Sequence, residues 1–532
     1  MGPLGMMQNG DRPVWMIWLV ILTGIAVRVF SVMNTPVINP DGMVYIQQAK
    51  AICQGNGQDL RSCVPFVSNY PFFIAAAYGI FASWIEAARC VSVFFGSLTL
   101  VPLYFMLRCF ADTRTACLAV LLYGFIPFLV GGSADVIRDP VCWFFTVSAL
   151  LLFVKQIGSQ GTFWKRFGYQ TSSYLLFLMA GWARPEAFIA LIVSCLFSLL
   201  HSLFSRDKRY VLAPLASLLV LGFFVTAGTV IFDPYFSSYS NNASDKIATS
   251  IDHYRNLRQQ LETLIESLSR GELMSFLSKV RSLVWLVALG VLVSNSVAGV
   301  FYPYIIFFVL GFFGLSETLR RDPRVNYLLM LVILGYVLLF VHVLQTWYFE
   351  HRFLHLIIFP ACIFAAFGIE KTTRFITDKL RWRPSVAAIM IFLYLAAFGL
   401  GKNIKTRDVD KMVYLNIAEY ISELEESGHR FIPVITGEAS SLKLVSFYLN
   451  LHLPTGFCPL QTPPVITDNN SLVRYAVDND MKYFLWDEQN WRRTQVDINS
   501  EDFRRSFNCL KRWYHKDYGD IVLFGTGSVV SN

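Results

Sequence analysis

Residues 14–50 read "VWMIWLVILTGIAVRVFSVMNTPVINPDGMVYIQQAK", and their reading decides the fold. The run Val14–Met33 is almost unbroken apolar sequence. That is the length needed to cross a hydrocarbon core of about 30 Å. It is longer than a signal-peptide core and lacks a small-residue cleavage site, so it reads as a retained span. Directly after it comes Asp41, set between Pro40 and Gly42 at the start of a helix-like stretch, "DGMVYIQQAKAIC". Aspartate is a favoured N-cap, and Asp41 reads first as the cap of an amphipathic helix lying outside at the membrane surface.

Working outward, the same apolar signature recurs along the chain. The 532 residues are 55% hydrophobic and 15% charged, with a mean hydropathy of +0.47. Soluble domains carry roughly 25% charged residues. Spans are expected at 14–33, 87–107, 115–132, 139–156, 171–183, 187–204, 211–231, 299–318, 327–345, 353–370 and 385–402. The predicted class is a polytopic α-helical membrane protein with about 11 transmembrane helices. The formal net charge of +8 does not point to nucleic acid, because the basic residues sit in short connections between apolar runs. The clusters Arg108/Arg114, Lys155/Lys165/Arg166, Arg206/Lys208/Arg209, Arg320/Arg321/Arg324 and Lys371/Arg374/Lys379/Arg381/Arg383 alternate with sparsely basic turns. The positive-inside rule puts these clusters in the cytoplasm.

Three segments then fall outside: a first loop (34–86), a middle loop (232–298) and a C-terminal region (403–532). The stretch 281–318 also has room for a second span, which would reverse the side of everything after it. Within 403–532 the runs "RFIPVIT", "KYFLWDE" and "DIVLFGTG" read as strands, and "YLNIAEYISELEES" and "SLKLVSFYLNL" as helices. A small α/β domain is expected there, after a transmembrane domain over 1–402. Of ten cysteines, four lie outside the spans. Their placement predicts Cys53–Cys63 and Cys458–Cys509 as disulfides of an oxidising compartment. No His/Cys cluster has zinc-ligand spacing.

Polar residues gather at the outer span ends. The turn "GGSADVIRDPVCWFF" holds Asp135, Arg138 and Asp139; Asp-Pro opening a helix is ordinary capping, and Asp135 reads as a solvated loop residue. The turn "LMAGWARPEAFIA" holds Arg184 and Glu186, either an ion pair or a cation placed for a lipid phosphate, which a guanidinium can hold through two bonds. The turn "QTWYFEHRFLHLIIFP" crowds Glu350, His351, Arg352 and His355 beside Trp347 and Tyr348. An aromatic belt accounts for the two aromatics, but four ionisable groups within six residues exceed what anchoring requires. Together these turns describe a polar pocket opening outward over an apolar bundle.

In order and character these stretches resemble the GT-C polytopic glycosyltransferases. The resemblance is in particular to the family of the dolichyl-phosphate-mannose protein mannosyltransferases and the bacterial lipid A aminoarabinose transferase. The pieces that carry it are "NPDGMVYIQQAKAI", "NYPFFIAAAYGIF", "IPFLVGGSADVIRDPVCWFFTVSALLLF", "LLFLMAGWARPEAFIAL" and "HRFLHLIIFPACIFAAFGIEK", spread over residues 10–400. The resemblance implies Asp41 as the catalytic base and Asp139 as a second acidic position. It implies Arg184 and Arg352 at the donor phosphate, where His351 would join them; Tyr45, Glu186, Glu350 and His355 are pocket candidates by their place in these stretches. Many members carry Asp-Glu where this chain has Asp41-Gly42, so a second adjacent acid is absent. The implied donor is a sugar on a polyprenyl phosphate; the acceptor is a lipid, a polysaccharide or a protein; membrane lipids surround the chain. A phosphate leaving group needs no general acid, so one carboxylate suffices. No cofactor is expected, and a divalent metal is not favoured. The implied location is a bacterial inner membrane with the site facing the periplasm. Two other readings stay open: an oligosaccharide transferase using a lipid pyrophosphate, which would need a metal, and a non-enzymatic transporter of lipid-linked sugar.

Overall fold

The computed structural model describes residues 14–532 except 57–59, 61–63, 65, 160–161, 205–211, 227–254, 268–270, 314–321, 426–430, 437–441, 454–465, 492–493, 517–518 and 527–532. The chain is a polytopic α-helical membrane protein that divides into two compact units. The first comprises Met1–Ser31, Ser92–Ala134 and Arg138–Lys405; the second comprises Val32–Val91, Asp135–Ile137 and Thr406–Asn532.

Among the described residues, seven helices are long and apolar enough to cross a membrane, or nine if each of two bent helix pairs counts as one span. The expectation of eleven differs for physical reasons. The stretch 171–183 is the end of a helix, Phe163–Ala183, whose first turns carry Lys165 and Arg166. The stretch 211–231 is described only as the shorter helix Leu212–Thr226. The largest correction concerns the middle loop. Its last part is a 29-residue helix, Glu272–Val300, apolar enough to span, because one acid, one lysine and one arginine all lie in its first three turns. The expected span 299–318 instead breaks at Phe301, whose φ is +80°, and resumes as Ile305–Phe312, 8 residues long. At 1.5 Å per residue that is roughly 12 Å, too short to cross alone.

The two bends follow from proline. Helices Thr113–Phe125 and Pro127–Ala134 meet at 57°, and His351–Ile358 and Cys362–Lys379 at 74° across Pro360. A break leaves carbonyls without helical partners, and in a bilayer other parts of the protein must satisfy them. Arg28 Nη1 donates to the Gly124 carbonyl at 3.2 Å, and Asn403 Nδ2 to the Phe125 carbonyl at 2.9 Å. The Tyr123 hydroxyl donates to the Ile358 carbonyl at the second break. Helix 305–312 lies directly on helix 362–379: a Cβ on Gly311 would overlap the Phe364 carbonyl, and one on Gly368 the Phe307 carbonyl. Such reciprocal small-residue crossings hold membrane helices where apolar burial supplies no drive.

In the second unit, helices Pro40–Gln54 and Tyr70–Phe81 group with residues 406–532 rather than with the membrane bundle, so the first loop and the expected C-terminal domain form one body. The sheet has four strands: β1 (Val434–Ile435), β2 (Tyr483–Asp487), β3 (Asn508–His515) and β4 (Gly519–Gly525), in spatial order β1-β2-β4-β3. β1 runs parallel to β2; β4 is antiparallel to both its neighbours. The core beneath it gathers Phe484, Phe503, Phe507, Phe524 and Trp491. Cys53 and Cys509 are exposed, while Cys63 and Cys458 lie outside the described residues, as therefore do both expected disulfides.

Candidate active site

In the first unit, three stretches far apart in sequence supply one polar cluster. Helix Asp139–Ile157 brings Asp139, the turn after Ala183 brings Arg184 and Glu186, and the short 3-10 turn His351–Leu354 brings Arg352 and His351. Asp139 is not a helix cap: the N-cap is Arg138, and the Asp139 carboxylate, 1% exposed, forms an ion pair with Arg184. Burial explains the choice, since a carboxylate taken out of water needs a cation more than a backbone N–H. Arg184 Nε faces Glu186 Oε2 at 3.5 Å, and its guanidinium lies 5.4 Å from the Phe353 ring. Arg352 sits 5.9 Å from the same ring and pairs with Glu350, which also accepts from the Tyr348 hydroxyl. Phe353 is thus flanked by two guanidiniums, a cation–π arrangement that keeps both side chains in place.

His355 is fully buried. Its Nδ1 is 2.9 Å from the Arg352 carbonyl, which fixes that nitrogen as the protonated donor and leaves Nε2 as an acceptor, 3.8 Å from Cys142 Sγ. His355 therefore braces the turn that carries Arg352. His351 packs against Gly299: a Cβ there would lie 3.2 Å from its ring. An apolar cavity of about 380 Å³ begins beside this turn. Leu354, Ile357, Ile358, Ala361, Phe308 and Val309 belong to its wall, and among the described residues of that wall Tyr336 alone bears a hydroxyl.

Asp41 and Tyr45 belong to the second unit. The cap of their helix is Asn39, whose side chain accepts from the Asp41 N–H at 2.9 Å. Pro40 at the first helical position, where a missing N–H costs nothing, moves the start upstream and puts Asp41 inside the first turn. There the helix dipole favours its negative charge. The amphipathic surface helix is also corrected: every residue from Gly42 to Ala51 is buried. Tyr45 meets Tyr70 edge-on at 5.3 Å. Gly42 is demanded by close approach, for a Cβ there would lie 2.8 Å from Val136 Cβ. Asp135 is not a solvated loop residue; its carboxylate pairs with Arg407 at 3.3 Å, and burial pushes its pKa up against that cation.

Several residues escaped the sequence reading. Arg28 sits in the first span, 1% exposed, and a lone arginine in an apolar run was a usable signal. Lys50 looked like the polar stripe of an amphipathic helix yet is 1% exposed. Tyr448 and Arg407 carried no local signal. Among the described residues, no group of three or more His, Cys, Asp or Glu side chains could hold a metal ion.

No protein-family model matches the chain, and no curated protein does. Solved structures do. ArnT from Cupriavidus metallidurans in the apo state matches with a TM-score of 0.58 at 13% identity, over 97% of this chain and 98% of that one. The same protein bound to undecaprenyl phosphate gives 0.58 at 12% identity. The Archaeoglobus fulgidus oligosaccharyltransferase in the apo form gives 0.55 at 12% identity, over 97% of this chain and 74% of that one. At these identities the likeness is one of architecture, and it is consistent across both proteins: the chain has the fold of the polytopic GT-C glycosyltransferases.

Proposed function

We propose that this protein is an inverting glycosyltransferase that moves a sugar from a polyprenyl phosphate to an acceptor hydroxyl on the outer face of a membrane. The observation that carries the reading is the cavity of about 380 Å³. Its wall is apolar, as an isoprenoid tail requires, and it starts at Leu354, next in the chain to Phe353 and the two guanidiniums that flank it. A lipid lying there would bring its phosphate to Arg352 and Arg184. Asp139 and Glu186 hold Arg184 in one pose, so that its planar donors are preorganised for an anion. In agreement with this reading, the ArnT match was solved with undecaprenyl phosphate bound.

In the proposed reaction, Asp41 takes the proton of the acceptor hydroxyl as its oxygen bonds to the anomeric carbon. The bond from that carbon to the phosphate oxygen breaks, its electron pair stays on the phosphate, and the configuration inverts. Arg184 and Arg352, with His351, stabilise the charge gathering on the leaving group. The basic connections face the cytoplasm, and the second unit lies on the periplasmic side of a bacterial inner membrane.

A second reading, transfer from a lipid pyrophosphate, is favoured by the oligosaccharyltransferase match. Loss of transfer on chelation separates the two, because the monophosphate reaction as proposed uses no metal. The direct experiment is mass spectrometry of polyprenyl-phosphate sugars in cells carrying wild type or Asp41→Asn. Accumulation of one glycosyl lipid in the variant is expected. Unchanged pools with the variant present in the membrane would overturn the assignment of Asp41.

A further inference from the structure

Helix Pro40–Gln54 and the residue before its cap are held at two points by one short helix of the C-terminal region, Lys443–Leu449, and the turn that follows it. At the first end, the Tyr448 hydroxyl accepts from the Ile38 N–H at 3.1 Å. Ile38 directly precedes the Asn39 cap and lies three residues before Asp41. At the other end, Lys50 Nζ donates to the carbonyls of Leu451 at 2.5 Å and Leu453 at 3.0 Å, just past the end of the same short helix. Both carbonyls lie in the turn beyond the helix's C-cap, Asn450, and the two bonds give the buried ammonium partners in place of water. The Trp84 ring, 6.0 Å from Nζ, closes the other side.

The spacing matters more than either bond. Ile38 and Lys50 are twelve residues apart, roughly 18 Å along a helix axis. One tether would leave the helix free to swing about it; two at opposite ends fix its axis. The segment leading in is fixed as well. The Arg407 N–H donates to the Asn34 carbonyl at 3.1 Å, and Arg89 Nη2 to the carbonyls of Thr35 at 2.6 Å and Pro36 at 3.1 Å. The gripping helix is itself held to the segment leading into β1, since Asn450 accepts from the Ile432 N–H at 2.9 Å and donates to its carbonyl at 3.0 Å. The segment before β1 is thus linked, through Asn450 and then Tyr448 of the same helix end, to the turn that presents Asp41.

We propose that the C-terminal module is the positioning device of the Asp41 helix, with Tyr448 and Lys50 as positioning residues that set where the Asp41 carboxylate points. This rests on the reading of Asp41 as the catalytic base. It gives the module a role in turnover distinct from acceptor binding.

The test uses the full-length protein and two independent readouts. Tyr448→Phe removes one oxygen and keeps the packing; Lys50→Met keeps the stem and removes the donor; Lys50→Arg restores a cation able to reach two carbonyls. In detergent, hydrogen–deuterium exchange at residues 38–45 should quicken roughly five- to tenfold in Tyr448→Phe, the loss expected for one hydrogen bond, while β2 and β4 stay as protected as in wild type. In cells, Tyr448→Phe should accumulate part of the glycosyl lipid that Asp41→Asn accumulates. The double variant should accumulate no more than Asp41→Asn alone. Lys50→Arg should restore most of what Lys50→Met loses. Unchanged exchange at 38–45, or wild-type lipid pools in Tyr448→Phe beside a blocked Asp41→Asn, overturns the positioning role and leaves the base assignment standing. Normal pools in Asp41→Asn itself defeat the base assignment, whatever the exchange data show.

Discussion

Replacing Gly42 by alanine puts a methyl group into occupied space. A Cβ built there lies 2.8 Å from Val136 Cβ, 3.0 Å from its Cγ1 and 3.2 Å from its carbonyl oxygen. Carbons in comfortable contact are about 3.5–4.0 Å apart, so both carbon contacts are short by roughly 0.5–1 Å. Val136 is wholly buried and has no room to withdraw. Overpacking of this kind costs about 1–3 kcal/mol, against at most about 1 kcal/mol regained from helix propensity. The expected outcome is a net loss of roughly 1–2 kcal/mol, read as a lowered thermal midpoint of the purified protein in detergent. Gly42→Glu meets the same clash with a longer side chain and should be worse. In a Val136→Gly background the opposing Cβ and Cγ atoms are gone and only the 3.2 Å approach to the backbone carbonyl remains, so Gly42→Ala should cost at least about 1 kcal/mol less than in wild type. If Gly42→Ala is as stable as wild type, or its penalty is the same with Val136→Gly, the steric account of this glycine is wrong.

Arg184→Gln leaves the buried Asp139 carboxylate without its cation and should lower stability by about 3–5 kcal/mol; adding Asp139→Asn should recover much of that loss, as measured by thermal unfolding of the single and double variants. Lys50 gives a pH signature. Burial pulls its ammonium from 10.5 down to about 8, so between those values the unfolded chain holds more protons and stability rises with pH. Below pH 8 the penalty is fully present. The stability of wild type relative to Lys50→Met should therefore climb by about 3 kcal/mol between pH 8 and 10.5, and a flat difference would contradict the assignment.

Much of the architecture was legible because membranes impose a length. A run such as Val14–Met33 or Pro384–Asn403 announces itself by composition alone. The helix Glu272–Val300 was hidden because its first turns carry Glu272, Lys279 and Arg281, which shifted the apparent start of the apolar run downstream. Strands β1, β2 and β4 showed as apolar runs because they are buried. β3 did not: from Asn508 to Arg512 all its residues are exposed, so no alternation marks it. At the site, sequence position picked out the Asp139, Arg184 and Arg352 turns but not their bonding. Asp139 reads as a cap until Arg184 is seen beside it, and Lys50 reads as solvated until the carbonyls of Leu451 and Leu453 surround it. Contacts between residues hundreds apart leave no periodic trace.

The kink in helix 113–134 has a consequence for how the chain is made. Its two freed carbonyls are met by Arg28, from helix Val14–Met33, made before the kink, and by Asn403, the last residue of helix Pro384–Asn403, made after it. At a synthesis rate of about 5–20 residues per second, the Phe125 carbonyl waits roughly 15–55 seconds for Asn403 to appear. During that interval the bend is half-built in the bilayer, held from one side only. A chain halted between the kink and residue 403 therefore has the Arg28 bond to the bend but lacks the one from Asn403.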